Sequence, residues 1–212
     1  MMGRVALFSA AMLALAQCSS LPGNEDPLVA SLAALTVGDE QRSPRFAALI
    51  DLGAPTLQVG LLDRDISTSV LLERTDGAFT YWLTLEGAQF IFQSGMLHGT
   101  RGLGEGLLAS ELSEPLARVL GRQPGPSVRF HTYLDGNDRA VTRTYRCLID
   151  TDGTRQVQLA TGPVNAVLMT ESCRSLDQEF LNFYWVVPST RQIVQSRQWA
   201  GPEIGPVSTR VV

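Results

Sequence analysis

Two histidines, three cysteines and the absence of lysine bound the chemistry this chain can attempt. His98 and His131 lie far apart and neither belongs to a His-Glu-x-x-His spacing, so a zinc site has no ligand set to build on. His98 stands beside Gly99, where a turn is expected, and His131 faces away from Phe130 on a strand. Each reads as a surface histidine or one satisfied by a hydrogen bond. No serine occupies a Gly-x-Ser-x-Gly elbow, and no cysteine stands in the setting of a catalytic thiol. The run Gly99-Thr100-Arg101-Gly102-Leu103-Gly104-Glu105-Gly106 is glycine-rich. A phosphate-binding loop, however, needs Gly-Lys-Ser/Thr opening a helix, so this run is read as a mobile turn. Asp135, Asp138, Asp150 and Asp152 supply carboxylates for acid–base work, but they sit in two glycine-containing turns and are read as turn formers. No catalytic group, metal or cofactor is assigned on this reading.

The stretch from Asn182 to Gly205 has a different character. Tyr184, Trp185, Arg197, Gln198 and Trp199 combine flat aromatic faces with planar hydrogen-bonding groups, a mixture suited to sugar rings or a protein groove. Asn182 and Ser196 flank them in the same strands, and the seven residues form a candidate contact set. The alternative is that these are two core strands with Trp185 buried, since aromatic strand residues usually pack.

These residues need a scaffold and a location, and the N-terminus speaks to the location. Met1–Arg4 carry one positive charge, Val5–Leu15 are apolar, and small residues follow at Ala14 and Ala16, the pattern of a secretory signal. The apolar run is shorter than the ~20 residues a membrane-spanning helix needs. Leu15-Ala16-Gln17-Cys18 is similar to a lipobox, with Gln17 where Gly, Ala or Ser usually stands. Lipid on Cys18 accounts for a cysteine at that position, and cleavage after Ala16 to a soluble periplasmic protein is the alternative. The expected organisation is a signal peptide over 1–17, a lipidated tether over 18–27 and one β-rich domain over 28–212. Loss of Arg4 with the signal leaves 16 basic against 21 acidic residues, a mature charge of −5. That balance disfavours nucleic acid as a partner. Cys147 and Cys173 remain as an even pair in an oxidising compartment, either bonded to each other or buried separately.

Elements follow from periodicity. Asp26 and Pro27 predict a helix start ahead of Leu28, Val29, Leu32 and Leu35, and from Phe46 the period shifts towards two. Strands are expected over 56–62, 66–74, 79–85 and 89–93. Leu107 to Leu120 recur at helical spacing, but Gly106 and Pro115 limit this region to a loop with one or two helical turns. Val128, Phe130, Thr132 and Leu134 alternate with Arg129, His131 and Tyr133, then Asp135-Gly136-Asn137-Asp138 turns the chain into a strand over 141–149. A second turn at Asp150–Thr154, then strands over 156–160, 164–171, 179–187 and 192–199, bring the total to nine or ten. The fold class is mainly β: a large curved antiparallel sheet, half-barrel or sandwich-like, with one or two short helices. Edge strands of such a sheet offer a route to a homodimer.

Asn182-Phe183-Tyr184-Trp185-Val186-Val187, followed by Thr190, Ile193, Ser196-Arg197-Gln198-Trp199 and Gly201-Pro202, resembles the closing signature of the YjbF family of envelope lipoproteins, which includes the group 4 capsule lipoprotein GfcB. Gln89-Phe90-Ile91-Phe92 through Gly95 to Thr100-Arg101-Gly102-Leu103 is similar to the family's strand, glycine turn and T-x-G-L sequence. The resemblance implies an outer-membrane lipoprotein facing the periplasm, accessory to making or exporting surface polysaccharide, with no catalytic residue to carry over. It also implies a half-barrel with a helix on its concave side, a place the helix after Asp26 would take. Three functions compete: a non-enzymatic accessory contacting glycan or secretion proteins, a carrier holding an acyl chain in the half-barrel, and an enzyme acting on glycans. The lipid anchor is directly testable. The intact mass of protein from the membrane fraction is expected to carry a lipid-sized increment that Cys18→Ser removes, whereas an unmodified chain beginning at Gln17 would contradict it.

Overall fold

The structure is a computed structural model and describes residues 43–134, 137 and 139–212. Cys18, the signal segment and the helix expected after Asp26 lie outside the described residues. In chain order the elements are α1 (Pro44–Asp51), β1 (Thr56–Leu61), a 3-10 turn (Leu62–Arg64), β2 (Ile66–Asp76), β3 (Phe79–Leu83), β4 (Gln89–Gln93), β5 (Met96–Arg101) and β6 (Leu107–Glu111). There follow α2 (Ser113–Gly121), β7 (Gly125–Leu134), β8 (Ala140–Leu159), β9 (Gly162–Arg174), β10 (Glu179–Val186), β11 (Ile193–Trp199) and β12 (Pro206–Val211). All twelve strands belong to one antiparallel sheet in the order β5-β4-β3-β2-β1-β12-β11-β10-β9-β8-β7-β6. This is an up-and-down meander whose first strand pairs with its last, so the sheet curls almost to a closed barrel.

The unpaired edges, β5 and β6, meet along a seam. A Cβ at Gly99 would lie 3.0 Å from the carbonyl oxygen of Leu108 and 3.2 Å from that of Leu107, so glycine allows this approach without pushing the β6 backbone back. The Thr100 hydroxyl donates across the seam to Leu107 O at 3.5 Å. Met96–Arg101 is therefore a strand, not part of a mobile turn; the turn begins at Gly102, where φ is +73°. His98 accordingly sits in β5, edge-on to the Phe79 ring at 5.0 Å.

A twelve-stranded ring is too wide for side chains alone to fill. The inner face of one half buries Leu57, Val59, Val70, Phe90, Phe92 and Leu107, with Ala200 and Ile204 of the β11–β12 connection folded in among them. In the other half Leu112, at the start of α2, and Val119 within it pack against Met96, Ile149, Met169, Tyr184 and Ile193. Thus α2, expected as a loop with one or two turns, is a nine-residue helix against the inner face. Pro115 does not shorten it, because in the first helical turn its missing N–H has no intrahelical partner to lose. Gly106 lies outside the helix. The chain leaves through Arg122 at φ +53°, where the N–H groups of Arg122 and Gln123 donate to Val119 O and Arg118 O.

Two further corrections concern segments read by period. The residues from Phe46 were expected to be strand-like, but Ser43 caps a helix with Pro44 in its first turn, and Phe46 is 1% exposed against Leu71, Leu83 and Leu85. Asp150–Thr154 is not a hairpin turn. β8 runs through it with a bulge between Thr151 and Thr154, and the chain reverses only between Leu159 and Gly162. The bulge changes which face the later residues present, so Val157, Leu159 and Ala166 gather on Trp185 and Val194, apart from the inner core. A twelfth strand, β12, follows Gly205 and was not anticipated. Cys147 pairs with Cys173 across β8 and β9, their Cα atoms 4.0 Å apart and their sulfurs joined. A crosslink over 26 residues stabilises by about 3.5 kcal/mol in the chain-entropy description.

Candidate functional site

Strand parity divides the seven candidate contact residues. Along β10, Asn182, Tyr184 and Val186 are fully buried and alternate with Phe183 and Trp185. Along β11, Ser196 and Gln198 are buried while Arg197 is exposed. Since Tyr184 and Val186 pack in the inner core, Trp185 and Arg197 belong to the outer face. The candidate set is therefore two sites, not one.

The inner site is polar and closed. Arg129 and Glu171, 1% and 0% exposed, form an ion pair at 2.6 Å. The same carboxylate oxygen accepts from Tyr184 Oη at 2.7 Å and Asn182 Nδ2 at 2.8 Å, and Ser110 Oγ accepts from Arg129 Nε at 3.4 Å. Asn182 Oδ1 in turn accepts the Trp199 backbone N–H at 2.8 Å, extending the network to β11. Gln198 Oε1 accepts from the Leu97 N–H at 2.8 Å and its Nε2 donates to Gly95 O at 3.0 Å, which ties β11 across the interior to β5. Ser196 and Thr209 hydroxyls share a hydrogen bond at 2.7 Å. Asn182, Tyr184, Ser196 and Gln198 thus hold the barrel together.

Electrostatics agree with that role. Burial is the largest influence on Arg129 and works against its charge, but Glu171, Tyr184 and Tyr133 together outweigh it and raise the guanidinium above its ordinary value. Burial likewise pushes Tyr184 and Tyr133 well above the ordinary phenol range. His131, fully buried with Nδ1 2.7 Å from Tyr133 Oη, is held well below the usual imidazole value by burial and then by the Arg129 charge. Phe180 stacks on both His131 and Trp199, at 5.6 and 6.0 Å, so Trp199 also serves packing. Among the described residues, Cys147, Glu171 and Cys173 form the single cluster with metal-ligand atoms close together, and there the sulfurs are bonded to each other.

The outer site is a groove of about 350 Å³ across β2, β1, β12, β11 and β10. Register places Gln58, Arg210, Gln195 and Trp185 opposite one another in one row. Gly60, Ser208, Arg197 and Phe183 form the next. The Ser208 hydroxyl lies 2.5 Å from where a Cβ on Gly60 would stand, so glycine here makes room for the hydroxyls of Ser208 and Ser67 on the groove floor. Gln195 Oε1 accepts from Arg210 Nε at 3.0 Å and orients that guanidinium. Trp185 was singled out with Arg197 from sequence. Gln58, Gln195, Ser208 and Arg210 were not, because β12 was not recognised as a strand and the polar alternation of β1 had no neighbour to complete it.

His131 yields a measurable consequence. The unfolded chain takes up its imidazole proton near pH 6.5, but the folded chain does so only at lower pH. Below that point the unfolded state binds more protons, so His131 contributes stability that is full above pH ~6.5 and is lost as pH falls, with a slope approaching about 1.4 kcal/mol per pH unit. Urea unfolding of wild type and His131→Gln is expected to show a shallower pH dependence in the variant between about pH 4.5 and 6.5. Parallel curves would contradict a neutral buried imidazole.

A solved structure, the hypothetical lipoprotein YmcC from Escherichia coli (K12), superposes with a TM-score of 0.67 at 22% identity, covering 75% of this chain and 86% of that one. At that identity the likeness concerns the fold. No curated protein matches the chain. The family described as "Group 4 capsule polysaccharide lipoprotein gfcB, YjbF" matches residues 29–212. With the match extending over nearly all of the sequence, the chain belongs to the YjbF family of group 4 capsule polysaccharide lipoproteins.

Proposed function

We propose that this protein is a non-enzymatic outer-membrane lipoprotein, anchored through Cys18, that assists assembly or export of a surface polysaccharide by contacting glycan at the outer groove. The observation that carries the reading is the groove itself: Trp185 and Arg197, from the chain's most distinctive stretch, stand with Gln58, Gln195, Ser208 and Arg210 on an open face. An aromatic plane beside amides, hydroxyls and guanidinium groups fits a sugar chain better than an apolar ligand. The strongest charges of the interior are paired and buried, which favours a structural over a catalytic role for Arg129 and Glu171. Pairing of two copies through β5 or β6 would first require opening the seam between those edges.

A carrier reading rests on a different feature, a half-open cleft of about 450 Å³ lined by Leu57, Trp82, Phe92, Leu120, Ile193 and Val211. Native mass spectrometry of the Cys18→Ser protein without co-purified lipid would remove it. The glycan reading predicts that deleting the gene lowers surface polysaccharide and that Trp185→Ala with Arg197→Ala fails to restore it while accumulating normally. Unchanged polysaccharide in the deletion strain would contradict an accessory role.

A further inference from the structure

We propose that the outer groove selects an acidic glycan, a chain whose sugars carry carboxylates, with Trp185 against a sugar face and Arg197 and Arg210 receiving the carboxylates. The proposal rests on the glycan reading above and adds the ligand's chemical class. Its first ground is charge. The groove lining contains two arginines and no Asp or Glu, in a chain whose formal charge is −4. A cationic trough in an otherwise acidic protein focuses an anion at one place and repels it elsewhere.

The second ground is that neither guanidinium is paired with a carboxylate of the protein. Among the described residues, Arg197 and Arg210 take part in no ion pair, while Arg45, Arg129, Arg143, Arg155 and Arg174 each meet a carboxylate within 3.1 Å. Arg210 gives only its Nε to Gln195, at 3.0 Å, which fixes the plane and leaves both terminal amino groups for a ligand. A planar fork so held matches a carboxylate through two parallel hydrogen bonds.

The third ground is spacing. Arg197 pairs with Ser208 and Arg210 with Gln195, so the two arginines occupy diagonal positions on adjacent strands of one face. Diagonal neighbours lie roughly 7–8 Å apart, close enough to serve one sugar chain. Trp185 stands opposite Gln195 and extends the platform with Phe183, their ring centroids 6.3 Å apart. Gly60 makes room on the floor for the Ser208 and Ser67 hydroxyls, which face the trough beside the arginines as further hydrogen-bonding groups.

Isothermal titration of the full mature chain tests this with surface polysaccharide purified from its host, used native and after chemical reduction of its carboxylates to alcohols. The native polymer is expected to bind, the reduced polymer at least tenfold more weakly, and added salt to weaken the former. Trp185→Ala, and Arg197→Gln with Arg210→Gln, should each cost tenfold or more, with Arg146→Gln, on an exposed stretch of β8, unchanged. Equal binding of both polymers, lost in Trp185→Ala, would overturn the acidic class and leave the glycan reading standing. Native binding indifferent to all groove variants would overturn the site. Absence of any binding, with Trp185→Ala still lowering surface polysaccharide in cells, would overturn the glycan reading as well, in favour of a protein contact.

Discussion

The ion pair between Arg129 and Glu171 is the constraint on which the rest of the barrel depends. Two charges withdrawn from water at 1% and 0% exposure are tolerated only with mutual contact and further hydrogen bonds. Tyr184, Asn182 and Ser110 supply those bonds. Because Arg129 stands on β7, its acceptor Ser110 on β6, the donors Asn182 and Tyr184 on β10 and the carboxylate on β9, the pair fixes which residues of four strands point inward. A one-residue slip of any of them would expose a partner and strand a charge. Inward placement of Asn182 and Tyr184 is what turns Trp185 outward. The Asn182 bond to the Trp199 backbone carries the same register into β11 and turns Arg197 outward with it.

Width is the second problem such a barrel must solve. A ring of twelve strands would hollow out unless occupied, and the chain fills it from within: α2 in one half and the Ala200–Gly205 connection in the other. Gln198 joins the halves by reaching from β11 to the backbone of Gly95 and Leu97. Buried side-chain amides that meet backbone groups in this way trade hydration for bonds that only one arrangement provides, which favours a single packing over many. The seam between β5 and β6 can then close by backbone proximity at Gly99, without a hydrogen-bonded ladder.

The fold class was legible because short strands punctuated by Gly, Pro and Asp leave a period-two trace. The hairpin of β7 and β8 followed from alternation, its Asp135-Gly136 and Asp138 lying outside the described residues. What alternation does not disclose is which face is buried. On β7 the inward set is Ser127, Arg129, His131 and Tyr133, while Phe130 remains 41% exposed. Hydrophobicity alone would point the other way, since burial of Arg129 depends on Glu171, 42 residues further along. Similarly, Asp152 and Gly153 have turn chemistry but sit in a bulge, because a bulge and a turn use the same residues. The groove required β12 as the neighbour of both β1 and β11, a pairing between the two ends of the domain that local pattern cannot show.

One buried charge pair sets the facing of these strands. A double-mutant cycle with Arg129→Met, Glu171→Gln and both together, followed by urea unfolding, addresses it directly. Each single variant is expected to lose about 3–5 kcal/mol, because each leaves an uncompensated or poorly satisfied group in the interior. The double variant is expected to be far more stable than the sum of the single losses implies, with a coupling energy near the upper end of ~0.5–3 kcal/mol. Two small, additive losses would contradict this, and would mean that apolar packing alone orients β7, β9 and β10.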